Sequence, residues 1–174
     1  LTDTVYACGK PVIVINMTGS AMDMRIHEEK ASAIIQAWYP GARAGKDIAE
    51  IIYGEISPSG KLPITFYNSD EDLPDFHDYS LKNRTYRYFE GTPLYPFGYG
   101  LTYGNCKATS ITASGNTSNA KLTVTVKNEG DFATEDVLQI YIKDEKSGYD
   151  VLNHRLCAFT RVSLAAGEEQ QVEI

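Results

Sequence analysis

The clearest periodic pattern in the chain covers residues 44–52. Its apolar residues recur at helical spacing, while charged residues fall on the other side of the turn; the apolar set is Ala44, Ile48, Ile51 and Ile52. Gly54 follows at the position where many helices end in a left-handed residue. The pattern therefore predicts one helix over 44–52 with one buried stripe.

Two continuous apolar runs before this helix predict strands over 12–15 and 33–38. The first run is β-branched without alternation, which is typical of a strand with both faces covered in a parallel sheet, and the second run predicts another buried strand. Residues 28–32 predict a short helix between the strands, and residues 1–9 resemble the end of a helix. Strand, helix, strand and helix together predict an α/β layer in which ligand contacts gather at the carboxyl ends of the strands.

Residues 55–103 lose all periodicity and are rich in glycine, proline and aromatic residues. A loop of this length in a compact domain is usually functional or a connection that wraps around the domain. It contains an acidic cluster made of Asp70, Glu71, Asp72, Asp75 and Asp78. A calcium loop needs oxygen ligands at ordered spacing with a glycine at the turn, and this cluster has neither. A solvated loop is therefore favoured over a metal site.

Beyond residue 104 the pattern changes to short alternating strands, predicted at 122–126, 137–142, 156–159 and 172–174. The fold class predicted for the whole chain is α/β, a partial α/β/α sandwich with a parallel sheet, followed by an incomplete immunoglobulin-like β-sandwich. We expect domains at 1–104 and 105–174. The second is shorter than the roughly 100 residues of a complete sandwich. The chain is therefore expected to lack strands and to be weakly ordered beyond Phe159.

Composition excludes several function classes. The net charge is −7, so no basic face is expected for nucleic acid. No run of 18 apolar residues occurs, which predicts no membrane span. The three cysteines lack paired spacing, so no metal ligand set or redox pair is indicated. An odd number of thiols favours a cytoplasmic location slightly over a secreted one. No cofactor motif is present, since the glycines lack the spacing of a phosphate-binding loop.

Several motifs in this order resemble the second half of the α/β sandwich domain of glycoside hydrolase family 3 β-glycosidases. They are P-V-I-V-I-N-M-T-G-S-A-M, A-W-Y-P-G-A-R-A-G-K-D-I-A-E-I-I-Y-G, S-P-S-G-K-L-P-I-T-F, R-T-Y-R-Y-F and Y-P-F-G-Y-G-L-T-Y. The continuation, with V-T-V-K-N-E-G-D-F and L-C-A-F-T-R-V-S-L, is similar to the fibronectin type III-like domain that follows in this family. The motif set looks most like β-xylosidase and β-glucosidase members.

The resemblance implies a retaining hydrolase that removes terminal non-reducing β-D-glucosyl or β-D-xylosyl residues from an oligosaccharide or glycoside. Retention requires two carboxyl groups roughly 5–5.5 Å apart. In the family the nucleophile lies on a preceding barrel domain and the acid/base lies upstream of the first strand motif. We therefore assign no catalytic residue, and Asp23, Glu28 and Glu55 match no catalytic motif. The missing N-terminal barrel domain would be the partner of this chain.

Four residues are predicted to bind substrate: Trp38, Tyr39, Arg84 and Arg87. Trp38 and Tyr39 stand at a predicted strand end, where an aromatic face can stack on a pyranose ring; the alternative is packing under the following turn. The two arginines can donate to sugar hydroxyls, or they can stack on tyrosines and fasten a loop. Turns and close backbone approach account for the glycines of the motifs; these are Gly41, Gly45, Gly54, Gly60, Gly98 and Gly100.

Three hypotheses remain open from the sequence. The first is a fragment of an intracellular or exported β-glycosidase that is inactive alone. The second is a non-enzymatic carbohydrate-binding or adhesion module, and the third is a structural spacer. The buried strand and crossover of the α/β half favour the first over the others. Residues 95–101 are predicted to be a joint between the domains, with Phe97, Tyr99 and Leu101 offering apolar area to both sides.

Overall fold

The computed structural model describes residues 1–116, 119–148 and 153–174, which group into two compact units. The first unit comprises Leu1–Lys46 and Pro63–Phe97, and the second comprises Asp47–Leu62 and Gly98–Ile174. The helices are α1 (Thr2–Tyr6), α2 (Arg25–Lys30), α3 (Ala44–Ile52) and α4 (Thr85–Tyr88), with a 3-10 turn at Asp70–Asp72. The strands are β1 (Ile13–Asn16), β2 (Ala33–Gln36), β3 (Cys106–Asn116), β4 (Asn119–Asn128), β5 (Thr134–Ile142), β6 (Arg155–Leu164) and β7 (Glu169–Glu173).

In the first unit β1 and β2 form a parallel pair, with Ile13 opposite Ala33 and Asn16 opposite Gln36. Parallel neighbours require a crossover connection, which α2 provides here. The Ala37 backbone N–H donates to the Asn16 carbonyl at 2.9 Å and continues the ladder past the end of β2. The predicted order of strand, helix, strand and helix is confirmed.

The bounds of two elements differ from the prediction. Helix α2 covers Arg25–Lys30 instead of 28–32, and the N–H of its first residue, Arg25, donates to the Asp23 carboxylate at 3.1 Å. Strand β2 ends at Gln36, because Trp38 has a φ of 53° that a strand does not accommodate. The predicted strand end at Trp38 is therefore wrong by two residues.

Strand β1 has one covered face. Val14 and Asn16 are half-buried, whereas Ile13 and Ile15 are 42% and 38% exposed. The expectation of burial on both faces is wrong within the described residues, since the side of the two-stranded sheet that carries these isoleucines is open there.

Helix α3 has the bounds that its apolar pattern predicts. Gly54 follows it with a φ of 77°, the left-handed conformation that the sequence indicated. Its apolar stripe is half-buried, and Ile52 is exposed. Gly45 lies inside the helix with no positive φ and open space at its Cβ position, so the interpretation of this glycine as a turn or close-approach device is wrong.

In the second unit β3, β4 and β7 form one antiparallel sheet, and β5 and β6 form another. The buried core between them consists of Val124, Val126, Val162 and Leu164. The sequence did not indicate β3, because this strand is exposed over nearly its whole length and is dominated by serine, threonine, alanine and glycine. The predicted fold class of an α/β layer followed by antiparallel sheets is confirmed.

The chain is well paired beyond Phe159, contrary to the expectation of weak order. Strand β6 pairs with β5 up to Leu164, and β7 pairs with β4. The Ile174 N–H donates to the Leu122 carbonyl at 2.9 Å. The expectation was wrong because the last two strands both have partners within the chain, β6 in β5 and β7 in β4.

Asn128 is fully buried at one end of the sandwich. Its side-chain N–H groups donate to the carbonyl oxygens of Phe132 at 2.8 Å and Ala165 at 3.1 Å. Its side-chain oxygen accepts from the backbone N–H groups of Asn105 and Gly130, each at 3.0 Å. This one amide therefore satisfies backbone groups of several loops.

The segment 95–101, predicted to be a joint, contains a boundary between the two units: Phe97 is the last residue of the first unit, and Gly98 belongs to the second. Phe97 belongs to the first unit, where its ring stacks on Tyr86 with centroids 4.1 Å apart. In the second unit the Leu62 N–H donates to the Tyr99 carbonyl at 2.8 Å. Leu101 is 71% exposed, and the role of this segment as a joint between domains stays a prediction.

Candidate functional site

Polar side chains meet at the carboxyl ends of β1 and β2. The Asn16 side-chain N–H donates to the Gln36 side-chain oxygen at 2.6 Å. The Gln36 amide in turn reaches the carbonyl and hydroxyl of Thr18, both at 3.4 Å. Ligands of α/β sheets bind at this edge. The hydrogen-bonded side chains of Asn16 and Gln36 therefore form a fixed polar surface at this edge of the sheet, here called the polar floor.

Trp38 lies just beyond this floor in an unusual backbone conformation. Its φ of 53° is a genuine outlier for a bulky residue, and such strain concentrates at functional sites. The half-buried indole packs edge-on against Phe66, with centroids 6.3 Å apart and planes at 65°. The surrounding structure therefore fixes where the ring points.

Tyr39 presents most of its ring to solvent and is 82% exposed. Its hydroxyl lies against Gly19, where an added Cβ would come within 2.4 Å of the oxygen. Gly19 therefore leaves the space that the phenol occupies. An exposed aromatic ring held at its hydroxyl end is suited to stacking on a flat apolar ligand face.

Phe66 is the buried centre of an aromatic series in the first unit. It is 2% exposed and meets both Trp38 and Tyr95 edge-on, the latter with centroids 6.1 Å apart. Its backbone N–H donates to the Tyr95 carbonyl at 2.9 Å, and the Tyr95 hydroxyl donates to the Glu28 carboxylate. The series connects the end of β2 with a carboxylate of α2.

Arg84 fastens the loop that carries the acidic cluster. One terminal N–H group donates to the carbonyl oxygens of Asp75 at 2.9 Å and Asp78 at 2.8 Å. Its neighbours Asn83 and Thr85 both have positive φ, 53° and 58°. These contacts favour the loop-fastening alternative for this arginine.

Arg87 lies within α4 and is exposed. Its guanidinium carbon is 5.6 Å from the centroid of the Tyr88 ring, the geometry of a cation–π contact. The structure thus brings Trp38 and Tyr39 together at the end of β2 and places Arg84 and Arg87 at the start of α4 and within it. Sugar binding by the four residues stays a prediction.

The acidic residues of the loop are engaged in local turns. The Asp75 carboxylate accepts from the His77 N–H at 2.7 Å, and the Asp78 carboxylate from the Ser80 N–H at 2.8 Å. The latter bond holds the pKa of Asp78 below its ordinary value. Among the described residues no group of three or more His, Cys, Asp or Glu could hold a metal ion.

Asp23, one of the carboxylates that match no catalytic motif, forms a short ion pair. Its oxygens accept hydrogen bonds from the Arg25 guanidinium, the shorter at 2.6 Å. These bonds lower the pKa of Asp23 to about 2, which keeps it ionised and a poor proton donor near neutral pH. Among the described residues, no helix is long and apolar enough to span a bilayer.

The sequence analysis did not single out three residues that contribute to this region of the structure: Gly19, Phe66 and Tyr67. The two aromatics lie in a stretch without periodicity, so pattern alone marked them as loop. The usable signal was the adjacent aromatic pair after the apolar run L-P-I, because a buried aromatic in a long loop usually anchors it.

Comparison with known families matches both halves of the chain. Residues 1–103 match the glycosyl hydrolase family 3 C-terminal domain, and residues 136–174 match the fibronectin type III-like domain. The parallel βαβ layer and the antiparallel sheets agree with this pair of domains. The chain belongs to glycosyl hydrolase family 3.

Individual relatives agree with the family. A xylan 1,4-beta-xylosidase of Xylanibacter ruminicola is 41% identical over 167 residues, covering 93% of this chain and 19% of the relative. A periplasmic beta-glucosidase of Salmonella typhimurium is 31% identical over 188 residues, covering 99% of this chain and 25% of the relative. The family 3 beta-glucosidase of Bifidobacterium adolescentis superposes with a TM-score of 0.89 at 27% identity, over 99% of this chain and 28% of that chain. The chain thus spans about a fifth to a quarter of the length of the curated relatives it matches.

Proposed function

We propose that this chain is the C-terminal part of a retaining β-glycosidase that hydrolyses terminal non-reducing β-D-glucosyl or β-D-xylosyl residues. Family membership supports the reaction class, and the names of the relatives support these two sugars. The catalytic carboxylates and the barrel that carries the nucleophile belong to the remainder of the same protein. The alternative from the sequence is a non-catalytic carbohydrate-binding or structural accessory module.

The observation that carries the proposal is the aromatic pair at the carboxyl end of β2. Trp38 is held in a strained conformation against Phe66, and Tyr39 exposes its ring beside Gly19. Pyranose rings carry apolar C–H faces that pack on such rings, and the amides of Asn16 and Gln36 lie at the same strand ends. In the proposal Trp38 and Tyr39 contribute to sugar binding, while the sugar contacts of Arg84 and Arg87 rest on the sequence alone.

The test compares the 174-residue chain with the complete protein that carries it, using 4-nitrophenyl β-D-glucoside and β-D-xyloside. We expect turnover from the complete protein only, because the covalent route and its acid catalysis need both carboxyl groups. Turnover by the isolated chain that disappears when one of its carboxylates is mutated would contradict our assignment of the catalytic pair to the rest of the protein. An inactive complete protein that still binds xylo- or gluco-oligosaccharides would support the accessory-module alternative.

The same assay tests the aromatic pair through Tyr39→Ala. Loss of one stacking face is expected to raise KM about tenfold, which corresponds to about 1.4 kcal/mol, with an unchanged unfolding midpoint. Tyr53→Ala is the matched control, because this tyrosine is as exposed as Tyr39 but lies outside the candidate site. Equal KM values for the two variants would exclude Tyr39 from the sugar site.

A further inference from the structure

Tyr67 holds α4 at both of its ends. Its hydroxyl accepts a hydrogen bond from the backbone N–H of Thr85, the first residue of the helix, at 2.9 Å. Its ring meets Phe89, the residue after the helix, edge-on with centroids 4.9 Å apart and planes at 89°. Phe89 is buried, so this end of the contact is anchored in the interior of the unit.

Phe66, the residue before Tyr67, makes contacts in a different direction. Phe66 pairs with Tyr95 in a β-bridge, so its backbone is extended and successive side chains point to opposite sides. The Phe66 ring packs against Trp38, whereas the Tyr67 ring packs against the end of α4. The two adjacent residues therefore connect Trp38 with α4.

Both ends of this connection are strained. Trp38 has a φ of 53° and Thr85 a φ of 58°, and a left-handed conformation is unfavourable for a bulky or β-branched residue. Such conformations persist only where the surrounding contacts determine them. Arg84, the residue before the helix, makes no side-chain capping bond, and the Tyr67 hydroxyl bonds the first helical N–H in its place.

We propose that Tyr67 is a positioning residue for Trp38. The Tyr67 hydroxyl fixes Thr85 at the start of α4, and the Tyr67 ring is held against Phe89. The extended backbone then fixes the position of the adjacent Phe66, whose ring packs against the Trp38 indole. The proposal rests on the proposed function only in that Trp38 meets a sugar; the positioning itself is a property of the chain.

The first test uses the fluorescence of Trp38, the one tryptophan among the 174 residues. Tyr67→Phe removes the hydroxyl and keeps the ring, and we expect it to raise the acrylamide quenching constant of Trp38 about twofold. Tyr79→Phe is the matched control, because it is the same substitution on a ring of the same unit that is 87% exposed; it should leave quenching unchanged. Wild-type quenching in Tyr67→Phe would overturn the proposal.

A double variant separates positioning from general loss of structure. Glycine adopts a φ of 58° without strain, so Thr85→Gly removes the need for the hydroxyl contact. In the Thr85→Gly background the effect of Tyr67→Phe on quenching should shrink towards zero. If Tyr67→Phe unfolds the chain, the double variant should fold again. An undiminished effect, or a double variant that stays unfolded, would overturn the route through Thr85.

Kinetics of the complete protein extend the test to the sugar. Tyr67→Phe should raise KM for the preferred 4-nitrophenyl glycoside about three- to tenfold and leave kcat near the wild-type value, because the misplaced face of Trp38 weakens binding and not the chemical step. A lower kcat with unchanged KM would overturn the positioning role. A complete protein without glycosidase activity would defeat the proposed function alone, since the fluorescence results still decide the role of Tyr67.

Discussion

Asn128 shows how one buried side chain holds several loops together. Replacement by alanine leaves the carbonyl oxygens of Phe132 and Ala165 and the N–H of Asn105 without this partner in a buried region. An unsatisfied buried group costs about 1–3 kcal/mol, so we expect Asn128→Ala to lower the free energy of unfolding by about 3 kcal/mol or more. Urea titration measures this value.

Asn105→Ala is the control for this prediction, because Asn105 has an exposed side chain and contacts Asn128 through its backbone. It should change stability by less than about 0.5 kcal/mol. Equal losses in the two variants would show that the buried amide has no special role.

Single residues also show what the sequence could reveal about the site. Trp38 and Tyr39 stood out because an aromatic pair and a Pro-Gly turn follow an apolar run. Phe66 and Tyr67 did not, because their role depends on contacts with Trp38 and Thr85, which lie 28 and 18 residues away along the chain. The positive φ of Trp38 could not be predicted from the sequence either, because tertiary contacts determine this backbone angle.

At the scale of the element, the segments around Gly60 and Gly100 pass very close to each other. A Cβ on Gly100 would lie 2.1 Å from the Gly60 carbonyl oxygen, while a Cβ on Gly60 would meet open space. We therefore expect Gly100→Ala to destabilise the protein by about 1–3 kcal/mol, the usual cost of overpacking, and Gly60→Ala to have little effect. Thermal unfolding of the two variants checks this, and equal midpoints would refute the close approach.

Elements differed in how well the sequence predicted them. Helix α3 was predicted with its observed bounds, because an amphipathic stripe and a terminal glycine both specify it. Strand β3 was missed, because its side chains are mostly exposed and nothing selects apolar residues at alternate positions. Antiparallel pairing with β4 stabilises β3 instead; it runs from Cys106 opposite Asn128 to Asn116 opposite Asn119, with one register shift between Ala108 and Ser110.

At the scale of the whole molecule, residues 47–62 group with the strands although they precede the predicted boundary at 104. The Lys61 ammonium pairs with the Asp136 carboxylate at 2.7 Å, with both side chains only 16% exposed, and it donates to the Gly100 carbonyl at 2.6 Å. The Ser57 hydroxyl lies 2.7 Å from that of Thr134. We propose that this segment is needed for the strands to fold stably.

Two polypeptides test this proposal, one covering 47–174 and one covering 105–174. The shorter one lacks Lys61, which leaves the half-buried Asp136 carboxylate without its cation, at a cost of roughly 1–3 kcal/mol or more. Its melting temperature should therefore lie below that of the longer one by about 4–8 °C for each kcal/mol lost. Equal melting temperatures would support the boundary between 104 and 105.

The one-sided pairing of β1 has a consequence for handling the isolated chain. Among the residues that the structure describes, β1 has a strand neighbour on one side only, and Ile13 and Ile15 are exposed beside its free edge. An unprotected apolar edge is a template for pairing with a second molecule. Loss of monomer at high concentration is therefore expected before loss of fold. The fluorescence-quenching experiments on Trp38 should therefore be done at micromolar concentration, and light scattering should be used to check for self-association.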